Sequence, residues 1–274
     1  MIKKTIKYLL LLVTSIIFLF PLLWCAICSI KPENDIVAYP PRWIPKVATL
    51  SNYTEVLSKY PYLKWAFNSA VTTIISTLLI LALSSLAAYA FGRFEFKFKK
   101  VIYTVVIAML LIPIQAYVVP LFLVTLKLNL LNTYASIIFA STANVTSIFI
   151  LTSFFKGLPN ELEEAARLDG CGEFGIFLRV MFPLAKPALS TVTILAFISN
   201  WNNFLWPMIT IRTDSLKTLP VGIAQFMGSS GTSAVFHYGT ALSAACMAVI
   251  PTIIVFLLLQ RYFVEGIAST GIKG

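Results

Sequence analysis

Charge is what this sequence has least of. Only 12% of its 274 residues are Asp, Glu, Lys or Arg, against 58% hydrophobic residues, and the mean hydropathy of +0.86 exceeds what a water-soluble domain sustains. A single His and four Cys leave little material for acid–base, metal or disulfide chemistry. No G-x-x-x-x-G-K-[ST] occurs, which excludes a P-loop nucleotide site in this chain. Acidic residues are scarcer than basic ones, 11 against 21, for a net charge of +10. In a membrane chain that excess reports the orientation of loops before it reports a nucleic-acid partner.

What is abundant is long uncharged sequence. A bilayer crossing takes about 20 apolar residues in helical form, and six such stretches lie at 8–30, 65–92, 101–126, 128–155, 187–211 and 239–260. The sixth is the back part of a run from Thr218 to Gln260. That run is interrupted by Gly228-Ser229-Ser230-Gly231, a turn signal that leaves Leu219 to Phe226 as a short interfacial segment. Lys3, Lys4 and Lys7 before the first stretch imitate a signal peptide, yet its 23 residues exceed a typical h-region and no small-x-small cleavage site follows. It is expected to remain as the first helix. With the N-terminus inside, 13 Lys and Arg fall inside and 8 outside, so both termini are expected in the cytoplasm. The chain reads as a single all-α transmembrane domain, residues 1–274. An irregular Pro-rich outer loop lies between the first two spans, and an inner loop at 156–186 carries nine of the 32 charged residues.

That inner loop is patterned. Asn160 is placed as an N-cap with Glu163 at the third position of a capping box, and Glu163 and Arg167, four apart, are set to pair. Gly170 ends the helix where a left-handed residue is required. Leu162, Ala165, Ala166 and Asp169 share a face narrow enough to lie against another protein. A second segment, Glu173 to Phe182, carries Phe174, Phe177 and Met181 at helical spacing and is expected to stop at Pro183, with Pro187 opening the next span. A solvated connector between two membrane helices would show the same pattern.

Glu164-Ala165-Ala166, then Gly170, then Val180-x-Phe182-Pro183 resembles the Glu-Ala-Ala loop of the membrane subunits of ATP-binding-cassette importers, with Val180 and Phe182 in place of the usual Ile and Leu. Further stretches resemble carbohydrate importers of the maltose-permease type: Ala88 to Phe94, Leu130 to Thr133, Asn200 to Pro207, Thr218 to Gly222 and Gln260 to Gly266. The Gly-rich end, Gly266 to Gly274, resembles that of their short six-helix subunit, whereas Asn203 stands where many relatives carry Glu. The resemblance implies a type I importer permease fold in a bacterial cell membrane, with a cytoplasmic coupling helix between helices four and five. It assigns ATPase coupling to Glu164, Ala165, Ala166, Asp169, Gly170 and Pro183, and no catalytic residue. It implies as partners a second permease subunit, two ATPase subunits or domains that hold ATP and Mg, and an extracytoplasmic sugar-binding protein. No cofactor would reside in this chain itself.

For the solute path the candidates are Gln115, between Pro113 and Pro120 in a third span expected to kink, and Asn200, Trp201, Asn202, Asn203 and Trp206 in the fifth. Amides and indoles suit sugar hydroxyls and ring faces; interhelical hydrogen bonds and an aromatic belt explain them equally. Gly170-Cys171-Gly172-Glu173-Phe174-Gly175 copies a dinucleotide fingerprint but follows a helix, not a strand. Cys25-Ala26-Ile27-Cys28 has metal-like spacing without a second pair, and Cys171 and Cys246 do not complete a disulfide framework. His237 is expected as an interfacial polar residue at the outer end of helix six. Two other functions compete. A secondary transporter would show paired internal repeats and ionisable groups inside its spans, and an intramembrane protease would have only His237 as its base; a permease for another small polar solute is the alternative within the transport class.

Overall fold

The computed structural model describes residues 2–227 and 237–271, so the Gly228 to Gly231 turn and the last three residues of the Gly-rich end lie outside the described residues. Within them the backbone is helical with no strand, as lipid demands of a chain that cannot leave amide groups unpaired. In chain order come α1 (Ile2–Ser29), α2 (Glu33–Ile36), α3 (Ser51–Lys59), α4 (Tyr62–Arg93) and α5 (Lys99–Ala108), extended by a 3-10 turn at Met109–Leu111. Then follow α6 (Ile114–Lys127), α7 (Tyr134–Thr142), α8 (Val145–Gly157), α9 (Glu161–Leu168) and α10 (Glu173–Ile176). A π-helical turn at Phe177–Met181 leads into α11 (Phe182–Leu184), α12 (Lys186–Trp201), α13 (Leu205–Thr210), α14 (Leu219–Ala224) and α15 (Tyr238–Gly271).

Four helical stretches are long and apolar enough to cross a bilayer, and six if two bent helix pairs each count as one span. The six uncharged runs of the sequence are therefore present, but three of them are broken. In the third, Ile112 is extended ahead of Pro113, and α5 and α6 meet at 107°, a sharper change than the expected kink. Pro120, by contrast, stays inside α6. The fourth run becomes helical only at Tyr134, after Asn129 and Asn132 take positive φ, and breaks again at Ala143 and Asn144. Thr133 and Asn144 cap the two restarts by accepting the backbone N–H of Ser136 and Ser147. The fifth ends as a helix at Trp201 and resumes at Leu205.

The chain forms two compact units, Met1–Ala66 with Thr218–Ile250 and Phe67–Lys217 with Pro251–Gly274. In the first, Glu33 accepts the N–H groups of Tyr238 and Gly239 at 2.8 and 2.9 Å, capping the opening turn of α15 from 205 residues away. His237, the residue before α15, accepts the N–H of Ala241 through its carbonyl. Lys31 is buried, its ammonium 4.4 Å from the Trp24 ring. The Cys25 thiol lies 3.4 Å from that of Cys246, and all four cysteines are free.

The second unit holds the functional candidates. Its apolar core joins Ile80, Ala88 and Tyr89 of α4, Leu151 and Phe155 of α8, Ala166 of α9, Ile176, Phe177 and Met181, and Ala188, Leu189, Val192 and Ala196 of α12. Tyr89 is at its centre, with ring contacts to Phe94, Phe155 and Phe177. A Cβ at Gly92 would sit 3.1 Å from that of Phe155, so the absence of a side chain there lets the end of α4 close on α8.

Candidate functional site

The loop at 156–186 is packed onto the ends of the spans. α9 opens with Glu161, Glu163 and Glu164 and closes with Arg167, the charge order its dipole favours. Asn160, however, makes no side-chain cap. Its Oδ1 accepts instead from Arg93, whose guanidinium also donates to the carbonyls of Leu158 and Pro159. The same guanidinium forms an ion pair with Glu163 at 3.1 Å, the two side chains only 5% and 6% exposed. The last residue of α4 thus grips both the chain entering α9 and the first turn of α9 itself.

This arrangement corrects three expectations. Glu163 does not pair with Arg167, because Arg93 holds its carboxylate; Arg167 turns the other way and makes two hydrogen bonds to Glu173, at 2.7 and 3.1 Å. Those bonds hold the Glu173 carboxyl below its ordinary value, so the pair persists above that lowered pKa and is lost as pH falls through it. Second, Ala166 is buried in the chain's own core, so the outward face of α9 is Glu161, Glu164, Ala165 and Leu168, at i, i+3, i+4 and i+7. Leu168 is 89% exposed. Third, the helix ends one residue past Pro183, at Leu184, and bends by 77° into α12, which Pro187 opens as expected. The wide π turn ahead of Pro183 accommodates its missing N–H.

Gly170 sits at φ +80°, the left-handed conformation the turn demands, and with exposed Asp169 it closes the outward end of α9. Phe177 and Met181 are buried as their spacing suggests, whereas Phe174 is 65% exposed. Leu168 and Phe174 are the most exposed of the loop's large apolar side chains, and they lie beside Glu161 and Glu164. Burial, not pattern, separates these two from their neighbours.

A second feature lies where the broken spans meet. A cavity of about 160 Å³ is lined by Ile114 and Tyr117 of α6, Ser141, Ala143 and Asn144 at the α7–α8 break, and Ser199, Asn200, Asn203 and Trp206 around the α12–α13 break. Of the residues picked from sequence, Asn200, Asn203 and Trp206 line it. Gln115 is exposed in the first turn of α6, and Asn202 is exposed with its amide bonded to the carbonyl of Ile198. Trp201 is buried, its ring stacked on Phe197. Trp206 donates its indole N–H to the carbonyl of Ser136 at 2.8 Å, which fixes the ring against the wall. Tyr117, Ser141, Asn144 and Ser199 were not singled out in sequence, because nothing in an unbroken apolar run marks which polar residues a bend will bring together. Among the described residues, no ionisable carboxylate, ammonium, guanidinium or imidazole lines the cavity, and no group of three or more His, Cys, Asp and Glu could hold a metal ion.

Residues 81–269, which contain both features, match the family model described as binding-protein-dependent transport system inner membrane component. The chain belongs to this family. It is a multi-pass membrane component of a transport system. The arabinooligosaccharides transport system permease protein AraQ of Bacillus subtilis is 35% identical over 263 residues, which cover 95% of this chain and 92% of the relative. The trehalose/maltose transport system permease protein MalG of Thermococcus litoralis is 34% identical, with 99% of each chain covered. Among solved structures, a bacterial ABC transporter involved in the import of the acidic polysaccharide alginate superimposes with a TM-score of 0.84 at 25% identity, covering 96% of both chains.

Proposed function

We propose that this chain is the permease subunit of an ATP-binding-cassette importer for an uncharged saccharide, moved by separate ATPase subunits that dock on α9 from the cytoplasm. The observation that carries the reading is the attachment of α9: one face locked by Arg93 and Ala166 to the ends of the spans, the other, with Glu161, Glu164, Ala165 and Leu168, open. A helix held in this way moves with α4 and α8 as one body, so a push from an ATPase pair closing on ATP reaches the spans without being lost in a flexible loop. Glu164 and Ala165 are the contacts offered to the motor, with ATP and Mg residing there.

Saccharide transport is supported by the names of the relatives and by the chemistry of the cavity. Its hydroxyls, amides and indole match sugar hydroxyls and ring faces, and its lack of charge disfavours an acidic solute such as the alginate of the structural relative. At about 160 Å³ it falls short of the roughly 300–1,000 Å³ of a complete small-molecule site. It is thus one wall of a path completed by a second permease subunit, into which an extracytoplasmic binding protein delivers solute.

Expression with the neighbouring genes is expected to yield a complex containing a P-loop ATPase, and proteoliposomes of that complex take up a neutral oligosaccharide only with ATP and binding protein present. In the same assay Asn203→Leu raises the apparent KM for uptake by about tenfold, the loss of roughly one hydrogen bond to solute. ATP-independent uptake by this chain alone would refute the assignment.

A further inference from the structure

The connection between α4 and α5 borders a cavity distinct from the one where the broken spans meet. It is an open groove of about 410 Å³, walled by Phe91, Phe96, Phe98 and Tyr103 and bordered by Glu95, Lys99, Lys100 and Lys156. Three ammonium groups face one carboxylate there, and that carboxylate already pairs with Lys99 at 2.8 Å. Lys156, at the end of α8, places its ammonium 5.0 Å from the Tyr103 ring, which keeps a second positive charge directed into the cavity wall. The first turn of α5 contains Lys99 and Lys100 and no acidic residue, so its own dipole adds to the positive field instead of opposing it.

The surroundings say what kind of anion fits. Phe98, Val101, Ile102 and Val105 are all at least 45% exposed, forming an apolar flank that runs along α5 away from the lysines. α4 ends and α5 begins at this point, which places the lysines at the ends of two spans and the apolar flank along α5. A ligand matching both parts has a phosphate at one end and hydrocarbon at the other. Orientation by positive charge requires only that lysines be present; it does not require an aromatic-walled cavity around them.

We propose that this cavity binds the phosphate-bearing headgroup of an anionic phospholipid, with Lys100 and Lys156 contacting the phosphate and the α5 flank contacting the acyl chains. The site is separate from the coupling surface of α9 and from the cavity at the broken spans, and it stands whatever solute is carried.

The test uses the purified complex and native mass spectrometry with added phosphatidylglycerol or phosphatidylcholine. The wild-type complex is expected to retain phosphatidylglycerol and not phosphatidylcholine. Lys100→Gln and Lys156→Gln each weaken retention about fivefold and together about thirtyfold, while Lys127→Gln, on the far end of α6, leaves it unchanged. Equal retention of both lipids, or displacement of phosphatidylglycerol by inorganic phosphate at millimolar concentration, overturns the proposal, the second result assigning the cavity to free phosphate. Loss of the ATPase subunit from the Lys100→Gln, Lys156→Gln complex overturns it as well, because the lysines then serve a protein interface.

Discussion

Replacing Gly170 is expected to uncouple ATP hydrolysis from uptake in an order set by backbone conformation. The residue sits at φ +80°, and no atom lies within 4 Å of where its Cβ would be, so a side chain there meets open space and the penalty is purely conformational. For Ala that penalty is about 1–2 kcal/mol, and it is larger for a β-branched residue; Asn tolerates the left-handed region best of the three. The turn between α9 and α10 is then pulled toward other conformations, and Glu164 and Leu168 lose their fixed direction. Uptake per ATP hydrolysed, measured in proteoliposomes, should fall in the order Gly, Asn, Ala, Val, with the Val variant reduced about tenfold or more for a strain near 1.4 kcal/mol or above. The complex should still assemble, because Gly170 contacts nothing in the core. An equal effect from Asn and Val would show that the loss has another cause.

Removing Arg93 is expected to be more severe. Its guanidinium anchors the carbonyls of Leu158 and Pro159 and the Asn160 amide, and it neutralises a buried Glu163. Arg93→Ala leaves that carboxylate buried without its partner, a defect worth about 3–5 kcal/mol, and frees the first turn of α9 from α4. Arg93→Lys keeps the charge but not the fork that reaches several acceptors at once, so it should rescue only part of the loss. Glu163→Gln combined with Arg93→Met removes both charges and should recover stability, read as melting temperature of the complex. It should not recover uptake per ATP, because the mechanical link to α4 is still missing. Recovery of uptake along with stability would reduce Arg93 to a fold-stabilising residue.

The two candidate sites were legible in sequence to different degrees. For the six spans, the absence of charge sufficed, since water-free surroundings leave few alternatives to helix. The end of α9 was legible because Gly170 occupies a position that other residues disfavour. The inner contacts of α9 were not. Sequence favoured a local Glu163–Arg167 pair, and the actual partner of Glu163 is an arginine 70 positions earlier that only the closure of α4 on α8 at Gly92 brings within reach. Glu163 also breaks the rule that glutamate faces solvent, so the helix face was assigned with Ala166 outward when it is inward. The breaks at Ala143–Asn144 and Asn202–Phe204 left no mark in charge, which is absent across both, and the polar residues they gather around one cavity could not be grouped from spacing alone. Even the marked break at Pro113 was legible in place but not in size: proline forbids a continuous helix without setting the angle at which the chain resumes.

The central claim is that an ATPase docks on the outward face of α9. It is tested most directly by cross-linking from position 164. With the four native cysteines replaced by serine, a Glu164→Cys chain in the assembled, transport-competent complex should be joined to the ATPase subunit by a short thiol-to-amine cross-linker, and a Lys127→Cys chain should not. The yield should change when ATP is bound, since closure of the motor moves the docked helix. A complex that hydrolyses ATP and takes up solute while position 164 gives no cross-link to the ATPase would contradict the account.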